Sequence, residues 1–264
     1  MVAAQTGVRV PSFVVIAPTF NNAGTLEAVL RSVEGLGFAL IVVNDGSTDA
    51  TSKALVAWCG ERGTGENRNV IHHDHNRGKA DALRTGFAEA VRLGFSHAIT
   101  IDTDGQHDAA DLVKLVAMAK SNPAAMVVGA RPTDGGAYPI KSRVGRSISN
   151  ALVRAESGAR VSDSQCGMRV YPLASTRTLA CAAGRYGFET EILARAAWAG
   201  IALIEAPIRC IYHVAGGRVS HFRPVRDSMS AIAMHARLLL ASIGKRAKGR
   251  RARKACPAPA ALRA

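Results

Sequence analysis

Four short apolar runs, each closed by a polar loop and followed by a helical segment, constrain this chain more than any other feature. They occupy residues 13–18, 40–43, 70–73 and 98–101. Runs of that length, rich in Val and Ile, read as buried strands. Between them, Thr25 is placed as the cap of a helix to about Val33, a second helix runs through Trp58, and a third covers 80–93. A helix over 110–120 then leads to a strand over 125–129. Such alternation predicts an α/β fold, a single doubly wound, mostly parallel sheet flanked by helices. Past Arg131 the texture changes to a Gly/Pro loop ending at Pro139, a helix to about Gly158 and a turn region over 163–171. A helix after Phe188 and a strand near 202–211 complete what we read as an elaboration of the same sheet.

In an open α/β sheet, ligands bind outside the carboxyl ends of the strands. Asp45, Lys79, Asp102 and Asp104 all follow strands, so they gather along one edge. Asp102 and Asp104 are two residues apart and share a face. Two hard oxygen ligands with room for water and phosphate suit Mg²⁺ or Mn²⁺. An acid near a base, a cation for a diphosphate and a metal site together describe a nucleoside-diphosphate pocket. Each has a plainer reading. Asp102 and Asp104 could belong to an acidic turn before a helix started by Asp108 and Asp111, Asp45 could be a turn residue, and Lys79 a solvated helix start. Neither Gly-x-Gly-x-x-Gly nor Gly-x-x-x-x-Gly-Lys-Ser/Thr occurs, which argues against a dinucleotide fold and a P-loop.

The formal net charge is +14, yet eight Lys or Arg and no acid fall within the last twenty residues. With few aromatics and a terminal rather than interleaved basic patch, nucleic acid is not the expected partner. Ahead of this tail, Ile232, Met234, Leu238, Leu239 and Ile243 are interrupted by His235 and Arg237. That stretch is too short and polar to span a bilayer but suits an interface. The expected organisation is a catalytic domain over 1–222, an amphipathic helix over 223–244 and a basic, disordered tail over 245–264. An anionic membrane surface is the expected partner of the last two. Residues 1–10 lack signal-peptide features, and the five scattered cysteines show no Cys-x-x-Cys pair. A cytoplasmic protein, peripheral on the inner face of the cytoplasmic membrane, is the expectation.

Four ordered motifs carry a resemblance. Pro18-Thr19-Phe20-Asn21-Asn22, Asn44-Asp45-Gly46-Ser47-Thr48-Asp49, Asn76-Arg77-Gly78-Lys79 with Ala82-Leu83, and Asp102-Thr103-Asp104-Gly105-Gln106 follow one another in the chain. Gly129-Ala130-Arg131 and Asp163-Ser164-Gln165-Cys166-Gly167-Met168-Arg169 come later. Over residues 12–212 the sequence resembles the family 2 glycosyltransferases of the GT-A fold. Within these it is most similar to the polyprenyl-phosphate (dolichol-phosphate) mannosyl and glucosyl synthases. The resemblance implies metal-dependent, inverting transfer of a sugar from a nucleoside-diphosphate sugar to a lipid-linked acceptor, either polyprenyl phosphate or a lipid hydroxyl.

It places Pro18, Phe20, Asn22, Asp45, Lys79 and Asp102 at the donor, and Asp102, Asp104 and Gln106 at the metal. Arg131 would assist the leaving group, and Asp163 is the candidate base for a hydroxyl acceptor. Arg143, Arg169 and His221 fall on the acceptor side, and Arg143 and Arg146, three apart, could share a helix face. Asn22 stands where the family usually has Glu, Asn44 where it often has Asp, and His221 where the lipid-phosphate branch tends to have Lys. Intact Asp102 and Asp104 weigh against a non-catalytic nucleotide-sugar sensor.

Overall fold

A computed structural model describes residues 12–60, 67–132, 140–185, 187–211 and 224–255. The chain runs β1 (Phe13–Thr19), α1 (Ala23–Glu34), β2 (Ala39–Asn44), α2 (Thr51–Gly60), β3 (Arg68–His72), α3 (Lys79–Arg92), β4 (His97–Thr100), α4 (Asp111–Ser121) and β5 (Met126–Ala130). Then come α5 (Ile140–Ser157), β6 (Arg169–Pro172), the short α6 (Leu173–Thr176), α7 (Gly187–Trp198), β7 (Leu203–Pro207) and α8 (Pro224–Ala255). Seven strands make one sheet in the order β3-β2-β1-β4-β6-β5-β7.

The expected parallel core is present: β1 pairs in parallel with β2 and β4, and β2 with β3. The region read from sequence as a turn ending at Tyr171 instead holds β6, which runs antiparallel to both β4 and β5. Four residues, all buried, are too few for an alternating pattern to show. Because β6 runs backwards, its amino end lies at the same edge as the carboxyl ends of β1 and β4. The residues just before it therefore reach the ligand edge.

The sheet is covered on both faces. Leu26, Leu30, Leu55, Trp58, Leu112 and Leu115, from α1, α2 and α4, pack with the strands on one side. Leu83, Val153, Ile192 and Leu193, from α3, α5 and α7, do so on the other. A smaller cluster of Ala183, Ala194, Met234 and Leu238 seats α8.

Two local readings change. Helix α1 begins at Ala23 rather than behind Thr25, and Asn22, its cap residue, makes no side-chain cap bond. The Thr25 hydroxyl instead donates to the carbonyl of Thr103 at 2.6 Å, tying this helix to the loop after β4. Helix α8 passes residue 244 and continues to Ala255, so much of the basic segment is helical, in keeping with its Ala, Lys and Arg content. Residues 256–264 lie outside the described residues.

Candidate active site

The loop after β2 is pressed against the loop before α3. Gly46 has φ +68, and a Cβ there would lie 2.3 Å from the His75 carbonyl carbon, so only glycine fits. Beside it, buried Asp45 accepts hydrogen bonds from the backbone N–H of Arg77 at 2.9 Å and Gly78 at 2.7 Å. Its Oδ1 also lies 2.7 Å from His73 Nδ1. Asp45 thus shapes the turn that delivers Lys79, while still lining the cavity described below.

Lys79 opens α3 and points at two carboxylates. Its Nζ is 2.5 Å from Asp102 Oδ1 and 2.8 Å from Glu189 Oε1. Burial works against its charge, but these two neighbours more than reverse that and hold it well above the ordinary lysine value. Burial alone would raise Asp102; Lys79, His107 and Arg131 outweigh it and keep the carboxyl below its usual range. Asp104 goes the other way, raised by burial and by the charge of Asp102. Its Oδ1 accepts the backbone N–H of Gln106 at 3.0 Å, a turn that sets the motif's shape.

Pro18, Phe20, Asn22, Asp45, Lys79, Asp102, Asp104, Gln106 and Arg131 all line one cavity of about 1250 Å³. Three buried polar atoms at its donor end, Thr19 Oγ1, Asn22 Oδ1 and His107 Nδ1, have no hydrogen-bond partner among the described residues. Leaving such groups unmet costs roughly 1–3 kcal/mol each.

The acceptor-side expectations fare differently. Asp163 is fully buried: Arg131 binds it through Nε–Oδ2 at 2.7 Å and Nη2–Oδ1 at 2.9 Å, and Arg146 Nη1 reaches Oδ2 at 3.1 Å. Burial opposes its charge, yet the Arg131 and Arg146 guanidiniums hold it below the usual carboxylate range. A carboxylate so placed is a poor proton acceptor, and it does not line the cavity. Arg169 is also fully buried, and donates to the backbone carbonyls of Cys166, Ser164 and Glu189. It props the segment before β6 instead of facing a ligand. Arg143 is exposed while Arg146 is buried, so the two do not share a ligand-facing surface. His221 lies outside the described residues.

The family model for glycosyl transferase family 2 matches residues 14–187. The chain belongs to glycosyl transferase family 2. This glycosyltransferase is 27% identical over 212 residues to the UDP-N-acetylglucosamine--dolichyl-phosphate N-acetylglucosaminyltransferase of Methanococcus voltae, covering 75% of this chain and 84% of the relative. It is 25% identical over 202 residues to the undecaprenyl-phosphate mannosyltransferase of Micrococcus luteus, covering 73% and 81%. Its fold matches glucosyl-3-phosphoglycerate synthase from Mycobacterium tuberculosis, solved with Mn²⁺, uridine diphosphate and phosphoglyceric acid. The TM-score is 0.61 at 21% identity, covering 89% of this chain and 79% of that one.

Two groups in the glycosyltransferase cavity escaped the sequence reading of the site. Glu189 sits at a helix start, where acids are ordinary, and only the fold brings it to Lys79. His107 directly follows the Asp-x-Asp-x-Gln motif, which was the one available signal. Its ring is buried, which lowers its proton affinity, and it lies 4.0 Å from the Cys166 sulfur. The same loop is fastened to the chain after β7. The backbones of His107 and Cys210 form an isolated antiparallel pair, Ile211 N–H donates to the Gln106 carbonyl at 2.8 Å, and Arg209 pairs with Asp108 at 2.9 Å.

Among the described residues, no three His, Cys, Asp or Glu side chains converge closely enough to hold a metal by themselves. The donor set nevertheless fits a divalent cation shared with a substrate. Asp102 and Asp104 offer hard oxygens at the cavity edge, and diphosphate and water are the usual remaining ligands of Mg²⁺.

Proposed function

We propose that this glycosyltransferase moves a sugar from a nucleoside-diphosphate sugar to the phosphate of a lipid-linked acceptor, at the cytoplasmic face of a membrane. The donor's nucleotide would lie along Pro18, Phe20, Asn22 and Asp45, with its diphosphate toward Lys79. Asp102, Asp104 and Gln106 would hold Mg²⁺ or Mn²⁺, which supplies Lewis-acid stabilisation of the departing diphosphate. Lys79 adds a fixed positive charge at the same place, at no cost in reorganisation. Arg131, kept in position by Asp163, presents its guanidinium to the reaction centre and steers the incoming anion. Attack on the face opposite the leaving group inverts the anomeric centre.

The observation that carries the choice of acceptor is the state of the carboxylates. Asp163 is sealed by two arginines, and Glu189 is paired with Lys79. A hydroxyl acceptor needs a base, and neither of these two is free to serve as one, whereas a phosphate is already ionised and needs only positioning. The dolichyl-phosphate and undecaprenyl-phosphate relatives support the same reading. The test offers the protein a UDP-sugar or GDP-sugar with Mn²⁺ and either polyprenyl phosphate or the matching polyprenol. An acid-labile polyprenyl-phosphate sugar is the expected product. Equal or better glycosylation of the polyprenol would overturn the phosphate reading.

A further inference from the structure

The cavity is larger than the donor requires. Ligand pockets commonly hold about 300–1,000 Å³, and this one, about 1250 Å³, extends from the donor motifs between α5 and α8. Its walls there are Gly145, Ile148 and Leu152 on α5, and Ile232, Ala236 and Leu239 on α8. Each set recurs at three or four residues, one face of a helix.

Three further observations say what such a groove holds. First, its inner end is fixed at the donor loop. Asp227, in the first turn of α8, is held by Arg185 at 2.8 Å, and Arg185 Cγ lies 3.1 Å from where a Cβ on Gly78 would sit. Second, α5 and α8 carry exposed apolar side chains, two of which, Ile148 and Ile232, also line the groove. Val144, Ile148, Met229, Ile232, Leu240 and Ile243 are each more than half exposed, and the four on α8 fall on one stripe. A run of large apolar side chains in one place marks a membrane or partner surface, as scattered single ones do not. Third, α8 continues from that stripe into residues 245–255, which carry seven Lys or Arg and no acid. That is the charge an anionic bilayer attracts.

We infer that the groove between α5 and α8 takes the hydrocarbon chain of the lipid acceptor, led in from the bilayer at the Ile148–Ile232 rim. The inference rests on the lipid-linked acceptor proposed above and adds its path. From Asp227 to Leu239 is twelve residues, about 18 Å of helix, so the first few isoprene units lie within the protein while the remainder stays in the membrane. Ser142, Ser149 and Ser228 line the cavity as well and give the head-group end polar company.

Photolabelling tests the path without turnover. A polyprenyl phosphate carrying a diazirine near its head group, in phosphatidylglycerol vesicles, is irradiated with the full chain and the labelled peptides are mapped. Label concentrated in 145–152 and 228–239 is expected. Gly145→Trp should cut it by about tenfold by blocking several methylene contacts; no atom lies within 4 Å of a Cβ added at Gly145, so the wedge enters open space. Val113→Asp, on α4, should leave the labelling as it is. Label concentrated elsewhere, or unchanged by Gly145→Trp, overturns the path even where product forms. Groove labelling by a protein that glycosylates only polyprenol would sink the phosphate reading and keep the path.

Discussion

Arg131 and Asp163 form a two-point pair, Nε to Oδ2 at 2.7 Å and Nη2 to Oδ1 at 2.9 Å, on a carboxylate with no exposed surface. On the function proposed above, Asp163 positions Arg131, and that role has a distinct signature. Asp163→Asn should cost about 3 kcal/mol of stability at neutral pH, because it leaves buried Arg146 and half-buried Arg131 short of an anion. In single-turnover assays the folded variant should lose less than the roughly 10²–10⁴-fold of a missing general base. A loss within that range, with stability unchanged, would restore Asp163 as the base.

The same pair sets a pH dependence. The folded-state value for Asp163 is lowered, so its stabilisation is full above the unfolded aspartate value of about 3.9 and disappears as pH falls through the folded one. The stability gap between wild type and Asp163→Asn should therefore shrink in acid. Denaturant unfolding from pH 7 downward measures it, and a gap constant to the lowest accessible pH would contradict this account.

Lys79 is the charge that lets Asp102 and Glu189 share one small space. On the donor reading proposed above, Lys79→Met should weaken binding of the nucleoside diphosphate, UDP or GDP, and lower stability by about 3 kcal/mol, as removal of one partner of a buried ion pair does. Adding Glu189→Gln should recover part of the stability but not the nucleotide affinity. Thermal melts with calorimetric UDP or GDP titration separate the two, and simple additivity of the substitutions would argue against the shared site.

Asp104 contributes little to the fold beyond its bond to the Gln106 N–H. Asp104→Asn should keep the melting temperature within a few degrees while turnover falls by about 10²-fold or more, the equivalent of several kcal/mol of lost metal stabilisation. Mn²⁺ binding followed by electron paramagnetic resonance should weaken in parallel. Full activity in excess EDTA would refute metal dependence.

Two glycines with positive φ should behave differently. Gly46 (φ +68) faces backbone at 2.3 Å, whereas Gly37 (φ +79) has nothing within 4 Å of an added Cβ. Gly37→Ala should cost about 1 kcal/mol, the left-handed penalty alone. Gly46→Ala must also push the 75–76 backbone away and should cost at least 2 kcal/mol. Equal losses would show that the close approach at Gly46 is not held.

The parallel half of the sheet was legible because each of its strands ends in a motif and each motif carries its own chemistry. Asp102 and Lys79 could be placed at one edge from strand order alone. Burial and pairing were not legible. Asp163 and Arg169 read as ligand-facing because both are charged and fall in a motif. Sequence spacing cannot show that Arg131 and Arg146 close over one, or that three carbonyls consume the other. Glu189 was hidden for the converse reason, since eighty-seven residues separate it from Asp102 and only the packing of α7 on α3 brings them to one lysine.

The backward strand has a consequence for how such a protein diversifies. Everything between β5 and β6 leaves and re-enters the sheet through hydrogen-bonded neighbours, Val127 opposite Val170. Where such an excursion is loop it can be lengthened cheaply, since doubling a loop costs only about 0.6 kcal/mol, whereas α5, through Val153, belongs to the packed core. The half of the molecule built from β1 to β4 need not move when that happens. Added length is best absorbed in the middle of that excursion, because its two ends are tied to the nucleotide end: Arg131 lines the cavity, and a Cβ added at Gly167 would lie 2.4 Å from Asp102 Oδ2.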